Sequence, residues 1–437
     1  MVAFPMGVHE ILCTLEQQGY EAYLVGGCVR DLLLGKVPFD WDITTSARPQ
    51  EVLTLFPDSI PTGLPHGTVT VKAQGEAVEV TTFRADGAYA DHRHPAEVHF
   101  TRSLQEDLLR RDFTVNAMAM DRQGTLYDFY GGQDDLRQGV LRCVGDPDRR
   151  FSEDALRIMR ALRFAATLGF AIEAKTAESL CEHRQDLSEI AAERLYAEMT
   201  KLLCGQNAAE ILLQYPAVIG VFLPEILPCV GLEQHNPHHC YDVWGHTAHS
   251  VAAIAPDPVL RWAMLLHDLG KGSTFSLDEH GVGHFYGHGK ASVALAEKIA
   301  ARLRFSGEMR QRVIELVDWH DRDVPRTEKS IRRCLYHLGE DGVRRLIAVK
   351  RADNVAQHPD YQARAAEIDK AEQILQDILD ADACFSLKQL AVNGNDLMEL
   401  GLRGKAVGET LDFLLKQVID GNLPNDRKVL LAQITKK

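Results

Sequence analysis

Hydrophobic and polar positions follow two different rhythms along this chain of 437 residues. In the first third, short apolar runs and period-two alternation dominate. The run "EAYLVGG" ends in a glycine turn, while "GTVTVKA" and "AVEVTTF" alternate as paired strands do, because successive strand side chains point to opposite faces. From about Asp146 the rhythm changes. "SEDALRIMRALRFAATLGF", "AERLYAEMTKLL" and nearly everything beyond repeat at helical spacing, punctuated by Gly and Pro. The pattern predicts an α+β head followed by a long all-α body, without an internal repeat or a low-complexity tract. The polar, His-rich stretch "GLEQHNPHHCYDVWGH" reads as a domain boundary.

Length predicts two to four domains. A composition of 45% hydrophobic and 25% charged residues is that of a soluble globular protein. No apolar run is long enough to span a membrane, and "MVAFPMGVHEILCTLEQQGY" lacks the basic start and small-residue cleavage site of a signal peptide. The nine cysteines are scattered without a CxxC pair, which fits reduced thiols and a cytoplasmic location. A formal net charge of −14 disfavours indiscriminate nucleic-acid binding. It leaves room for a local basic groove, which "LRIMRALRF" or "IRRCLYHLGEDGVRRLIAVKR" can supply.

Candidate chemistry begins at "DWDITTS". On a strand, Asp40 and Asp42 share a face, where like charges repel and raise each other's pKa. Either a divalent metal lies between them or they are a solvated strand end. Just upstream, "LVGGCVRDLLLG" gives a strand, the pair Gly26-Gly27, and a helix carrying Arg30. Paired glycines let backbone N–H groups approach a phosphate, and an arginine one turn into the helix can clamp it. A phosphate cradle and a DxD pair in one small unit suit two-metal phosphoryl chemistry. Glu79 is either a third carboxylate from a neighbouring strand or an outward-facing residue. Arg111, in "LLRRDFTVNAMAMD", is either a triphosphate ligand or a surface cation.

In "FSEDALRIMRALRF", Ser152 reads as an N-cap. Asp154 and Arg157 then lie at i and i+3 on one helix face, with Arg160 and Arg163 repeating the spacing. One reading is a surface ion pair and a basic stripe. The other concerns base edges. A carboxylate acceptor beside a guanidinium donor matches cytosine and adenine, whereas uracil and guanine present the opposite polarity. Each unpaired buried polar group costs about 1–3 kcal/mol, so such a pair would discriminate.

The motifs "LVGGCVRDLLLG…DWDI", "VEVTTFR", "RRDFTVNAMAMD", "YDFYGG", "EDALRIMRALRF" and "AAERLYAEMTKLL", in this order, resemble the bacterial class II tRNA nucleotidyltransferases, the CCA-adding enzymes. The closing segment "LAVNGNDLMELGLRGKAVGETLDFLLKQVIDGNLPNDRKVLL" is similar to that family's tail. The resemblance implies a polymerase-β-like nucleotidyltransferase head that uses Mg²⁺. Asp40 and Asp42 would hold the metals. Gly27, Arg30 and Arg111 would bind the triphosphate, with Asp112 and Asn116 in the same nucleotide site. Asp154 and Arg157 would read the incoming base, with Arg160 and Arg163 alongside. The implied partners are CTP, ATP and the acceptor stem and elbow of tRNA. The loop "RADGAYADHRHPAEVHF" is intact, which favours full CCA or A-only addition over CC-only addition. Poly(A) synthesis is a further alternative, as is a hydrolase or nucleotide sensor with a binding-only head.

The helical half carries a second constellation: His246, His267-Asp268 in "LLHDLGKG", His288, His320 and Asp353. Imidazoles and carboxylates on separate helices can converge on a metal in a bundle core. An adjacent His-Asp inside an apolar helix is costly to bury unless both groups are engaged. The spacing resembles the HD-domain metal-dependent phosphohydrolases. It implies a divalent transition metal and hydrolysis of 2′,3′-cyclic or terminal phosphates. The expected organisation is a head over 1–145, a helical neck and body over 146–230, an HD domain over 235–360, and a tRNA-binding helical tail over 361–437.

Overall fold

In the computed structural model, which describes residues 4–86, 98–236, 240–357 and 364–434, the head forms around a seven-stranded sheet. Its strands are β1 (Ala22–Val25), β2 (Asp42–Thr45), β3 (Ile60–Gly63), β4 (Thr68–Ala73) and β5 (Glu76–Thr82), then β8 (Met118–Met120) and β9 (Leu126–Asp128). A separate two-stranded hairpin, β6 (Arg84–Asp86) and β7 (Val98–Phe100), lies between β5 and β8 in the chain. The spatial order is β3-β4-β5-β2-β1-β8-β9. All pairs are antiparallel except β2 with β5. The predicted pair "GTVTVKA" and "AVEVTTF" becomes the β4–β5 hairpin. Its two-residue turn, Gln74-Gly75, has both φ angles positive, which matches the twist of the flanking strands. The loop 87–97, part of the predicted intact "RADGAYADHRHPAEVHF", lies outside the described residues.

The head carries more helix than its alternating runs suggest. Met6–Gln17 buries Val8, Ile11, Leu12 and Leu15, a helical stripe that the turn-rich neighbourhood obscures. The predicted change of character at Asp146 coincides with a helix over Pro147–Glu153, whose N-terminus Asp146 caps through its side chain. Helices Leu156–Leu168, Ala174–Glu182 and Ala192–Leu203 follow.

The chain divides into two compact units, Met1–Pro224 and Glu225–Lys437. The division therefore falls before the His-rich stretch expected to mark it. The reason is local: Ile226 and Cys229 are buried, and the Cys229 thiol reaches the Leu269 carbonyl inside the second unit. The second unit is helical, with helices Val243–Ala253, Pro258–Leu266, His288–Arg302, Gly307–Trp319, Ala365–Asp380 and Lys405–Ile419. A further segment, Glu328–Val355, is broken at Gly339, where φ is 68°. Among the described residues no helix is long and apolar enough to cross a membrane.

Candidate active site

Three carboxylates meet at one end of the head sheet. Asp42 opens β2 and stands in register with Glu79 of the parallel neighbour β5. Asp40 lies in a bend two residues before β2, not on the strand as expected, because pairing starts only at Asp42. Asp42 is half-buried, whereas Asp40 and Glu79 are exposed. Burial raises the Asp42 pKa first; the Glu79 and Asp40 charges push it further up and Arg111 pulls it back. A divalent cation beside Asp42 would favour its ionised form against burial and its carboxylate neighbours.

The Gly26-Gly27 turn, expected to cradle a phosphate, is built beside them. Gly26 takes φ 80°, and a Cβ there would come 2.9 Å from Arg111 Nη1 and 3.9 Å from Asp42 Oδ2. The missing side chain therefore gives Arg111 its place next to Asp42. Arg111 Nε is buried without a hydrogen bond, and the nearest carboxylate to its guanidinium is Asp107, at 3.7 Å. Gly27 begins the helix Gly27–Leu33 that carries Arg30. Arg30 is buried and already engaged: it holds Asp31 Oδ1 at 2.8–2.9 Å and Asn116 Oδ1 at 2.7 Å. Asn116 in turn donates to Asp112 Oδ1 at 3.3 Å, and Arg160 clamps Asp112 Oδ2 at 2.5–2.7 Å. Burial would raise the Asp112 pKa, but the Arg160 guanidinium overrides it and brings it to about 2.

Asp154 and Arg157 depart from the expected ladder. Ser152 is not an N-cap; it lies inside Pro147–Glu153 with its hydroxyl donating back to the Arg149 carbonyl. Asp146-Pro147 starts the helix earlier, and a capping aspartate followed by proline is the signal that went unread. Asp154 is consequently the extended link to the next helix, where its carboxylate accepts from the Leu156 N–H at 3.1 Å and lies 3.4 Å from Arg194. Arg157 does not pair with it. Its guanidinium donates to Glu153 at 2.7 Å and to the Arg150 and Arg110 carbonyls at 3.0 Å. Arg163 is held by Glu198 at 2.8 Å and lies 3.5 Å from the centre of the Phe164 ring, which Arg30 and Arg160 also approach. Glu153, Glu198 and Phe164, which sequence reasoning did not single out, are the partners that hold these arginines.

In the second unit, the six His and Asp residues singled out from sequence come together. All four imidazoles donate Nδ1–H to a backbone carbonyl: His246 to Ala356, His267 to Met264, His288 to Phe285 and His320 to Val317. A carbonyl only accepts, so each Nδ1 carries a proton and each Nε2 is the ring nitrogen turned inward, toward the Asp268 and Asp353 carboxylates. Asp268 divides its oxygens between two groups. Oδ2 faces His246 and His267 at 3.6 and 3.2 Å; Oδ1 faces His288 and His320 at 3.5 and 3.7 Å. Asp353 joins the first group, 3.0 Å from His246 Nε2. Nε2 of His267 and His320 is buried without a hydrogen bond. Burial opposes the Asp268 charge, but His267 and Lys271 hold its carboxyl well below the usual range. Gly270 lets the chain pass: a Cβ there would meet the His288 carbonyl at 2.2 Å. A cleft of about 230 Å³ opens over the cluster, edged by Lys271, Arg322, Arg326, Lys350 and Arg364.

Comparisons with known proteins match three parts of the chain to family models. Residues 22–142 match the Poly A polymerase head domain, 169–226 a "Probable RNA and SrmB- binding site of polymerase A", and 287–434 the tRNA nucleotidyltransferase domain 2. The CCA-adding enzyme of Levilactobacillus brevis is 37% identical over 431 residues, covering 97% of this chain and 96% of the relative. The crystal structure of the Bacillus stearothermophilus CCA-adding enzyme in complex with CTP superposes with a TM-score of 0.74 at 31% identity, covering 98% and 96% of the two chains. A Thermotoga maritima CCA-adding enzyme complexed with tRNA shares the fold, with a TM-score of 0.58 at 18% identity and coverage of 98% and 94%.

Proposed function

The chain belongs to the CCA-adding enzymes, and from that membership we propose that it adds C, C and A to the 3′ end of tRNA from CTP and ATP, without a nucleic-acid template, releasing pyrophosphate. The observation that carries this reading is the Asp42–Glu79 register beside Arg111 and the Gly26 turn. Asp40, Asp42 and Glu79 hold divalent metal, which we assign as Mg²⁺. Metal bound there lowers the pKa of the attacking hydroxyl and neutralises charge on the transferring phosphoryl group. Arg111, Gly27 and Arg30 receive the triphosphate, so that the tRNA hydroxyl meets the α-phosphorus in line with its pyrophosphate leaving group. Asp112 and Asn116 fix Arg30 and Arg160. Asp154 and Arg157 read the base from separate anchors: Glu153 and two carbonyls aim the guanidinium, while the extended link aims the carboxylate. Bodies 146–230 and 361–437 hold the tRNA largely by shape and backbone, and the enzyme works in the cytoplasm. Incubation with tRNA, Mg²⁺, CTP and ATP tests this: wild type extends the RNA, and Asp42→Asn does not.

The second reading concerns residues 235–360, and the four imidazoles whose Nδ1 atoms are held by carbonyls, leaving Nε2 turned inward, favour it. His246, His267, Asp268 and Asp353 hold one divalent transition metal, and Asp268, His288 and His320 a second. A metal held there would supply an activated water, suited to hydrolysis of 2′,3′-cyclic or terminal phosphates and so to clearing a damaged tRNA end before synthesis. A His267→Ala, Asp268→Ala double variant that kept all metal-dependent phosphodiesterase activity would refute it.

A further inference from the structure

The helix Leu104–Leu109 contributes a carboxylate that no part of the proposed chemistry uses. Asp107 is fully buried. An isolated buried carboxylate is strongly unfavourable, and this one is surrounded by donors from three parts of the head. Oδ1 accepts from the Arg84 backbone N–H at 3.2 Å and from Arg110 at 2.8–3.0 Å. Oδ2 accepts from the Thr44 hydroxyl at 3.1 Å and lies 3.7 Å from Arg111 Nη2. Burial alone would raise its pKa, but the Arg110 and Arg111 guanidiniums bring it below the usual range, so it is ionised.

The partners are not arbitrary. Thr44 lies two residues beyond Asp42 on β2, which puts its side chain on the same face as the metal carboxylate. Arg111 Nη1 abuts the Gly26 turn. Arg84 opens β6. One carboxylate therefore spans the strand that carries Asp42 and the cation placed to meet the triphosphate. Arg111 lies 3.7 Å from it, the long side of an ion pair, with Nε unbonded. Asp107 thus restrains the guanidinium without using up its donors.

We propose that Asp107 is a positioning residue for nucleotide binding: it holds Arg111 at a fixed distance from Asp42, so that the two engage the triphosphate and its metal together. This rests on the reading of the head as a nucleotidyl-transfer site. It differs from a role in folding alone, because it acts through Arg111 and only on the nucleotide.

The test is a kinetic cycle on the full chain, with tRNA, CTP, ATP and Mg²⁺. Asp107→Asn keeps the shape and removes the charge. The expected result is a rise of about tenfold in KM for CTP and ATP, with kcat within about threefold and KM for tRNA unchanged. In an Arg111→Ala background the same change should add less than about twofold, because residues acting as one unit are non-additive. Equal loss in both backgrounds, or a loss in kcat with unchanged nucleotide KM, overturns the proposal in favour of a structural role. If Asp107→Asn does not fold, Thr44→Val frees Oδ2 without altering charge. It should raise nucleotide KM about threefold, again only where Arg111 is present; no change, or an equal change in both backgrounds, overturns the proposal. Wild-type protein that fails to extend tRNA would instead refute the reading of the head.

Discussion

Asp42 and Glu79 face one another in register across the single parallel pair of the head sheet, β2 with β5. Two carboxylates directly opposite on neighbouring strands destabilise a sheet unless a cation lies between them. Replacing Glu79 by Gln removes that repulsion together with one of the carboxylates proposed to hold metal. Glu79→Gln is therefore expected to raise thermal stability in the absence of divalent metal while lowering extension activity about a thousandfold or less. Calorimetry in EDTA and a primer-extension assay read the two effects separately. Unchanged activity would place Glu79 outside the metal site.

Arg157 is anchored by Glu153 and by the Arg150 and Arg110 carbonyls, not by Asp154. On the proposed reading, base selection depends on two independently held groups. Asp154→Ala and Arg157→Ala should each reduce the preference for CTP over UTP about tenfold or more. Glu153→Gln should weaken selectivity less, since it loosens Arg157 without deleting it. Competition between CTP and UTP on one tRNA transcript measures all three. Equal preference in wild type and Asp154→Ala would contradict the base-edge account.

Asp112 has its pKa brought from an ordinary value near 3.8 to about 2 by Arg160. A carboxyl with a depressed pKa in the folded state contributes stability that is fully present above about pH 4 and lost as pH falls toward 2. The contribution is about 2 kcal/mol at neutral pH. Urea unfolding of wild type and Asp112→Asn should therefore differ most at pH 7, with the gap closing below pH 4. A gap that persisted unchanged at pH 3 would rule out the Asp112 charge as its source.

The β4–β5 hairpin, the helical body and the residue types of the two constellations were legible in the sequence, because each rests on local period or on reactive residues at short spacing. "VEVTTFR" named Glu79 as a candidate, but its register with Asp42 is a long-range pairing that no local pattern encodes. The same holds for Arg160 with Asp112 and Arg163 with Glu198, whose partners lie 48 and 35 positions apart. Ser152 misled because a Ser before an apolar helix matches an N-cap signature. The earlier Asp146-Pro147 start left it inside a helix instead. The His and Asp residues of the second site were legible by type. What fixes their Nε2 atoms inward was not, since for three of them it is the carbonyl three residues back along a turn.

The inward-turned Nε2 atoms and the two carboxylates carry their own prediction. Purified protein should retain divalent transition metal through dialysis, and His267→Ala, Asp268→Ala should lose it, as read by elemental analysis. Because His246 and His267 share Asp268 Oδ2 while His288 and His320 share Oδ1, His320→Ala alone should lower the metal content by about one equivalent of two. A wild-type protein with no bound metal under metal-replete conditions would make the cluster a structural remnant.

Full CCA addition is read most directly on three tRNA transcripts, ending at the discriminator base, in C and in CC. Each is incubated with Mg²⁺ and CTP, ATP or both, and product lengths are read on a sequencing gel. The first transcript is expected to gain three residues with both nucleotides and then stop, while the second gains two and the third one. Growth of the CC-ended transcript alone, by a single A, would contradict it and make the chain an A-adding enzyme.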